Sequence, residues 1–231
     1  MDCTKNTLVP FTSPSQILNH YKKPSTAERY AGLYQTAAGR RRHLREEAAI
    51  AKGLAGVPEG SRVLDLPCGA GRMYPLLKRL GYRVVEADAS PSMLEYARQN
   101  ASKFPQNESD EFVLVDAFHT PFQNFQFDAV VCNRLIHHFP EPQVRQQLLQ
   151  ELSRISKGPI VISFFSTLAT DALKYTLKHA LSHFSGSSRK PISPWQFAED
   201  VRRAGLTVAR WIVPLPGFSM QWYAVLRHPQ K

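Results

Sequence analysis

The strongest constraint on the fold is a short apolar run followed by a turn that contains two glycines. Residues 63–66 have the length and apolar character of a buried strand. Gly69 and Gly71 follow, and glycine lets a turn tighten and approach a ligand without a Cβ atom in the way. A helix is predicted to begin near Arg72, so its first N–H groups would face the same crevice. This order predicts a parallel α/β sheet that binds a nucleotide-type ligand.

Two acids and a missing glycine narrow the class of ligand. Asp88 ends the next apolar run, where a carboxylate can accept hydrogen bonds from ribose hydroxyls. The dinucleotide fingerprint requires a third glycine at position 74, where this chain has Tyr74. Asp65 precedes the turn, where it would repel a pyrophosphate but suit a cationic group. The residues therefore favour a nucleoside that carries a cation over a dinucleotide.

The run from Leu64 to Gly71 resembles the first motif of the class I S-adenosylmethionine-dependent methyltransferases, with Pro67 in place of the first glycine. Later runs resemble further motifs of this family in the same order. The resemblance implies a Rossmann-like, seven-stranded mixed sheet, mostly parallel with an antiparallel last strand and with helices on both faces. It also implies S-adenosyl-L-methionine as the cofactor. The cofactor-binding residues that it implies are Asp65, Gly69, Ala70, Gly71, Asp88, Ala89, Met93, Asp116, Ala117 and Asn133.

Two histidines are candidates for the catalytic base. His137 and His138 follow the run that resembles the family's fourth strand, beside the expected position of the transferred methyl group. Histidine has a reference pKa near neutrality, so it could take the proton of an alcohol or phenol acceptor. The alternative is that one histidine packs beneath a helix and the other caps a carbonyl. The sequence does not choose between them.

The net charge of +10 bears on the acceptor. Basic residues are concentrated in both flanks of the expected cofactor core, which favours an anionic acceptor; charge that serves solubility alone explains them equally well. The overall pattern also resembles methyltransferases associated with lipopolysaccharide-core synthesis in Gram-negative bacteria. That resemblance implies a small or glycan-type acceptor, methylated at oxygen. A nucleic-acid methyltransferase is the alternative enzyme, supported by charge alone.

A run of arginines keeps a non-catalytic alternative open. Arg41 and Arg45 have the Arg-x-x-x-Arg spacing of cyclic-di-GMP-binding modules. One helical turn would bring both guanidinium groups to the same phosphate or guanine. The chain could then be a regulatory protein that binds this nucleotide, or the cofactor, without turnover. A solvated helix face that pairs with Glu46 and Glu47 explains the same residues.

The chain is expected to form one domain, because 231 residues suffice for one full core. Its expected parts are an N-terminal helical leader (1–59), a cofactor-binding core (60–165), a substrate lid (166–192) and a C-terminal helix with a hairpin (193–231). A capping box at Ser25 is expected to open a first helix of the leader. The leader's second helix is predicted over residues 39–55 with this buried stripe: Leu44, Ala48, Ala51 and Ala55. The lid is expected to face an anionic acceptor with its basic residues: Lys174, Lys178, Arg189 and Lys190.

Cysteine usage and hydropathy bear on location. Cys3, Cys68 and Cys132 show no metal-ligand spacing, so no metal site is expected and a reducing compartment is favoured. The N-terminus lacks the hydrophobic core of a signal peptide, and no apolar run is long enough to span a bilayer. We expect a cytoplasmic protein, with peripheral membrane contact left open.

Overall fold

The computed structural model describes residues 36–104, 110–170 and 190–229. Within them the strands are β1 (Arg62–Asp65), β2 (Arg83–Asp88), β3 (Glu111–Leu114), β4 (Ala129–Cys132), β5 (Ile160–Phe165), β6 (Thr207–Ile212) and β7 (Gln221–Arg227). The α-helices are α1 (Ala37–Gly53), α2 (Tyr74–Arg79), α3 (Pro91–Ala101), α4 (Pro142–Ile155) and α5 (Pro194–Arg203). A single 3-10 turn, Ile136–His138, follows β4.

All seven strands form one sheet in the order β3-β2-β1-β4-β5-β7-β6. The first five strands of the chain, β1 to β5, all run parallel, whereas β7 pairs antiparallel with both β5 and β6. Every residue of β4 and β5 is buried, as expected where helices cover both faces of a parallel sheet. The predicted Rossmann-like mixed sheet with an antiparallel last strand is confirmed.

Two helices begin at predicted capping residues. The Ser90 hydroxyl accepts the Met93 N–H at 3.3 Å at the start of α3. The Ser193 hydroxyl accepts the Gln196 N–H at 3.3 Å at the start of α5. A proline occupies the first position of each helix, where its missing N–H costs no hydrogen bond. The capping box at Ser25 and residues 171–189 of the expected lid lie outside the described residues.

The helix after the glycine turn begins later than predicted. It starts at Tyr74 rather than near Arg72, and it is only six residues long. Gly71 has a φ of 71°, which is incompatible with a right-handed helix at that residue. Pro75 lies in the first turn, where a proline is tolerated. The backbone of the glycine turn, rather than a long helix, therefore meets the crevice.

Helix α1 turns a different face to the sheet than the one predicted. Leu44 is 61% exposed and Ala48 and Ala55 are also exposed, so the predicted stripe was wrong. The residues buried instead are Gly39, Glu46, Ala49, Ile50 and Gly53. Gly53 explains this orientation, because a Cβ atom there would lie 2.7 Å from Cγ1 of Val161 on β5. The helix approaches the sheet closely only through this face.

Candidate active site

A cavity of about 450 Å³ opens at the carboxyl ends of the parallel strands. The strand order reverses between β1 and β4, and open α/β sheets bind ligands at such a switch point. The loops after β1 to β4 supply the lining, which is Asp65, Leu66, Pro67, Cys68, Gly69, Arg72, Met73, Asp88, Ala89, Met93, Val115, Asp116, Ala117, Phe118, Asn133, Arg134, Leu135, His138 and Phe139.

Asp88 holds the glycine turn in shape as well as lining the cavity. Its Oδ2 accepts the Gly69 N–H at 2.9 Å, and its Oδ1 accepts the Ser90 N–H at 2.9 Å. Gly69 has a φ of 57°, in the left-handed region that favours glycine. Burial raises the pKa of Asp88 to about 6, against the opposing effect of these backbone donors. A carboxylate offers about four acceptor sites, so Asp88 keeps acceptor capacity for a ligand hydroxyl.

Asp65 is the most unusual group in the cavity. It is 1% exposed, and neither carboxylate oxygen has a hydrogen-bond partner among the described residues. Burial is the main reason that its pKa rises to about 8; the nearby Asp88 adds to the effect and Arg72 opposes it. A buried carboxyl without a donor is costly, and such groups concentrate at functional sites. This acid is suited to a cationic ligand group.

A buried ion-pair cluster adds positive charge to another part of the lining. Arg72 donates to Glu46 Oε2 at 2.7 Å, and Arg134 Nη1 lies 3.4 Å from Glu46 Oε1. Two guanidinium groups of the lining thus share one carboxylate of α1. Arg134 has a φ of 65° and donates its backbone N–H to Ser163 Oγ at 2.8 Å. A non-glycine residue in this conformation needs such support from its surroundings.

The rest of the lining is largely apolar. Met93 is 2% exposed, and it shares the lining with Val115 and Ala117. In the same lining, the rings of Phe118 and Phe139 meet edge to face with centroids 5.1 Å apart. This arrangement suits one flat, weakly polar group beside Met93 and a second beside the two phenylalanines.

The two histidines have different surroundings. His138 lines the cavity and is 4% exposed. His137 is fully buried outside the lining, with its ring stacked on Phe165 at a centroid distance of 3.9 Å. The His137 carbonyl accepts the N–H of Lys190, which joins the end of the predicted lid to this turn. The structure therefore favours His138 where the sequence left two alternatives.

Most, but not all, of the predicted cofactor residues come together. The cavity lining includes Asp65, Gly69, Asp88, Ala89, Met93, Asp116, Ala117 and Asn133. Ala70 and Gly71 lie outside it. A Cβ atom on Gly71 would lie 2.9 Å from the Cα atom of Ala97, so this glycine lets the turn pack against α3. Asn100 Nδ2 donates to the Ala70 carbonyl at 2.7 Å and ties the same turn to that helix.

The sequence interpretation missed several lining or supporting residues. Arg72 directly follows Gly71 and Arg134 directly follows Asn133, so their positions next to motif residues could have indicated them. Glu46 carries no local signal, because its partner Arg134 is 88 positions away. Glu46 and Glu47 were suggested as partners for Arg41 and Arg45. Instead, Glu46 pairs with Arg72 and Arg134, while Glu47 pairs with Arg79 and lies 3.8 Å from His43.

Within residues 36–104, 110–170 and 190–229, no group of three or more His, Cys, Asp or Glu side chains could hold a metal ion. No helix in that part of the chain is long and apolar enough to cross a membrane.

The fold and the cavity together define a class of protein. A glycine turn at the switch point, an acid at the end of β2 and an unpartnered acid on β1 are features of an α/β domain that binds a nucleoside with a cationic group. Sequence comparison supports this class: residues 64–160 match the family described as "Methyltransferase domain". The chain is also 30% identical over 164 residues to the ubiquinone biosynthesis O-methyltransferase of Acinetobacter baumannii, covering 67% of each chain. The chain belongs to the class I S-adenosylmethionine-dependent methyltransferases.

Further relatives agree with this family. The demethylmenaquinone methyltransferase of Clavibacter sepedonicus is 39% identical over 110 residues, which are 47% of this chain and 42% of that protein. The magnesium protoporphyrin IX methyltransferase of Synechocystis PCC 6803, solved with bound SAH, shares the fold with a TM-score of 0.75 at 16% identity. That likeness covers 94% of this chain and 100% of the other. Matched segments span between 35% and 59% of the first four curated relatives.

The comparisons also bear on the cofactor and on the finer predictions. The family uses S-adenosyl-L-methionine, and the Synechocystis enzyme has been solved with SAM as well as with SAH. The comparisons do not support the expected link to lipopolysaccharide-core synthesis or the binding of cyclic-di-GMP by Arg41 and Arg45. Both stay predictions.

Proposed function

We propose that this protein transfers a methyl group from S-adenosyl-L-methionine to an oxygen atom of a small, ring-bearing hydroxyl acceptor. The observation that carries this proposal is the presence of His138 in the same cavity as Asp65 and Asp88. A potential base therefore lines the same cavity as the groups that suit the cofactor. General-base catalysis matters for an alcohol or phenol acceptor, which is a weak nucleophile before it loses its proton.

The residues present fit this cofactor. Its methionyl end carries an ammonium and a carboxylate, which match the unpartnered Asp65 and the guanidinium groups of Arg72 and Arg134 in the lining. Asp88 has acceptor capacity for the ribose hydroxyls. The adenine is assigned to the wall that contains Met93, Ala89 and Ala117, with Asp116 at its edge. Asp116 Oδ1 accepts the Phe118 N–H at 3.0 Å, which orients this carboxylate.

The protein's own contribution is to position the acceptor and remove its proton. The bound cofactor supplies an already activated methyl group, so orientation accounts for much of the catalysis. Phe118, Leu135 and Phe139 exclude water, and the two phenylalanines offer ring faces and edges to an acceptor. His138 takes the hydroxyl proton as the oxygen attacks. His137 positions His138 from behind, with its own ring held against Phe165.

The acceptor class is supported by the lining and by the relatives. The aromatic wall favours a ring over a strongly hydrated sugar. Relatives named ubiquinone biosynthesis O-methyltransferase and demethylmenaquinone methyltransferase also support a ring-bearing acceptor. The net charge of +10 still favours an acceptor with an anionic substituent. A phosphorylated glycolipid and a nucleic acid are therefore kept as competing acceptors.

Transfer of a labelled methyl group tests this proposal. The purified protein is incubated with labelled S-adenosyl-L-methionine and a panel of phenols, catechols, phosphorylated sugars and RNA. We expect label on phenolic oxygen, and turnover lower by roughly a hundredfold in His138→Asn with unchanged affinity for S-adenosylhomocysteine. His228→Asn is the control, because that histidine contacts the Ser156 carbonyl outside the cavity. Transfer to RNA or sugars alone, or equal turnover in both variants, would contradict the proposal.

A further inference from the structure

The side-chain amide of Asn133 is held by three donors from two other strands. Its Oδ1 accepts from Ser163 Oγ on β5 at 2.8 Å. It also lies 3.2 Å from Gln221 Nε2 and 3.3 Å from the Tyr223 hydroxyl, both on β7. Asn133 is 8% exposed, and Ser163 and Tyr223 are 1% exposed. The amide is therefore fixed by a mostly buried network that sequence reasoning did not find.

The directions of these hydrogen bonds determine which way the amide faces. Ser163 Oγ accepts the Arg134 N–H, so the single serine proton is left for Asn133. The Tyr223 hydroxyl accepts from Gln221 Nε2 at 2.8 Å and donates to Asn133 Oδ1. All three neighbours can therefore donate to Asn133 at the same time, so the carbonyl of Asn133 must face them. The amide NH2 group then lies on the opposite side of the side chain.

Asn133 belongs to the cavity lining, and its Oδ1 is taken up by β5 and β7, so the NH2 group is the end left for the cavity. None of the hydrogen bonds among the described residues uses Asn133 Nδ2. Asn133 follows β4, beside the point where the strand order reverses. It thus lies between the predicted cofactor residues that follow β1 to β3 and the residues around His138.

We propose that Asn133 selects oxygen acceptors over amine acceptors, and that Gln221 and Tyr223 are positioning residues that hold its NH2 group toward the acceptor. This inference rests on the proposed function. A neutral amine has one lone pair, and an N–H donor bound to that pair competes with its attack on the methyl group. An oxygen has at least two lone pairs, so one can accept from Asn133 while another attacks. The Asn133 carbonyl is occupied, so it offers nothing to an amine N–H.

The same contact favours the reaction as the charge develops. An O–C bond forms at the acceptor as the S–C bond of the cofactor breaks and its electron pair stays on sulfur. The hydroxyl proton goes to His138. The acceptor oxygen gains negative charge as that proton leaves, and the fixed NH2 group stabilises this charge without having to reorient. Asn133 would thus contact the reacting atom, whereas Gln221 and Tyr223 would act through it.

Binding of two matched probes to the complex with S-adenosylhomocysteine tests the inference without turnover. Catechol and 1,2-diaminobenzene have nearly the same shape and differ in the heteroatoms. We expect wild-type protein to bind catechol at least tenfold more tightly, because a phenolic oxygen accepts from the Asn133 NH2 group better than an aromatic amine nitrogen does. Catechol should also shift the NMR signals of the Asn133 side-chain NH2, which are assigned by their absence in Asn133→Ser.

Substitutions separate selection from structural support. Asn133→Asp keeps the side-chain size and the three donors but presents an acceptor oxygen, so the preference should reverse toward the diamine. Tyr223→Phe and Gln221→Leu should each reduce the preference severalfold and leave the affinity for S-adenosylhomocysteine unchanged. Tyr82→Phe is the matched control, because this buried tyrosine contacts the Val57 carbonyl outside the cavity.

Three results would overturn the inference while S-adenosylhomocysteine still binds. These are equal affinity for the two probes, an NH2 signal that neither probe shifts, and an unchanged preference in Asn133→Asp. Failure of the wild-type protein to bind S-adenosylhomocysteine would instead overturn the proposed function. The two failures are therefore distinguishable within one set of titrations.

Discussion

Replacing Asp65 with asparagine removes a titratable group from the cavity and keeps its size. Burial raises the pKa of Asp65 from 3.8 to about 8. At pH 7 roughly nine tenths of the folded protein without ligand should therefore carry this proton, while the unfolded chain has lost it. Because the unfolded state holds fewer protons, the free energy of unfolding falls as the pH rises between about 4 and 8. For this single group the slope is about 1.4 kcal/mol per pH unit.

A bound cation should convert Asp65 from its protonated form to its ionised form. An ammonium group close to the carboxylate favours its ionised form, so binding should expel the proton. At pH 7 we expect wild-type protein to release about one proton for each S-adenosyl-L-methionine bound, and Asp65→Asn to release almost none. Titration calorimetry in two buffers of different ionisation enthalpy measures this number. Urea unfolding at pH 5, 6 and 7 measures the difference in slope between the two proteins.

Glu86→Gln is the matched control for this experiment. Glu86 is fully buried beside Asp65 in the β1–β2 register, and burial also raises its pKa. It does not belong to the cavity lining, so its substitution should leave the proton release on binding intact. The reasoning is refuted if Asp65→Asn releases as many protons as the wild-type protein. It is also refuted if the wild-type protein binds the cofactor at pH 7 without releasing a proton.

Two further substitutions test how the scaffold is held, both by urea unfolding. Gly71→Ala should cost about 2 kcal/mol or more, because its Cβ would meet the Ala97 backbone at a positive φ. Gly205→Ala, which meets nothing within 4 Å, should cost less; equal losses would contradict the packing argument. Asp200→Ala should cost about 3–5 kcal/mol, because it removes the carboxylate partner of the buried Arg145 charge, whose Nε donates to Asp200 Oδ2 at 2.7 Å. A loss below about 1 kcal/mol would show that the Phe139 and Pro140 carbonyls, which accept from Arg145 Nη1, suffice for this charge.

The sheet could be predicted because its signals are local. The strands from β1 to β5 are apolar runs, and helices α3 and α5 open with a serine and a proline. Each of these signals lies within a few residues of the element it defines. The start of α2 was missed because the conformation of Gly71 depends on contact with Ala97.

The features that sequence reasoning missed depend on contacts between distant segments. The buried face of α1 is set by Gly53 against Val161, a contact that no periodicity within the helix reveals. The Asn133 network requires the β5–β7 pairing, which brings residues about 90 positions apart into contact. The motif indicated that Asn133 lies near the cofactor. Only the paired strands indicate which end of its amide faces the ligand.

The central claim is that this cavity binds S-adenosyl-L-methionine, with Asp88 holding both the glycine turn and the ribose. Titration calorimetry of wild-type protein and Asp88→Ala with S-adenosylhomocysteine and with NAD tests it most directly. We expect S-adenosylhomocysteine to bind the wild-type protein and NAD not to bind. Loss of the buried acceptor should weaken S-adenosylhomocysteine binding by about 1.5–3 kcal/mol, which is roughly tenfold or more. Wild-type protein that binds NAD but not S-adenosylhomocysteine, or equal affinity in the variant, would contradict the account.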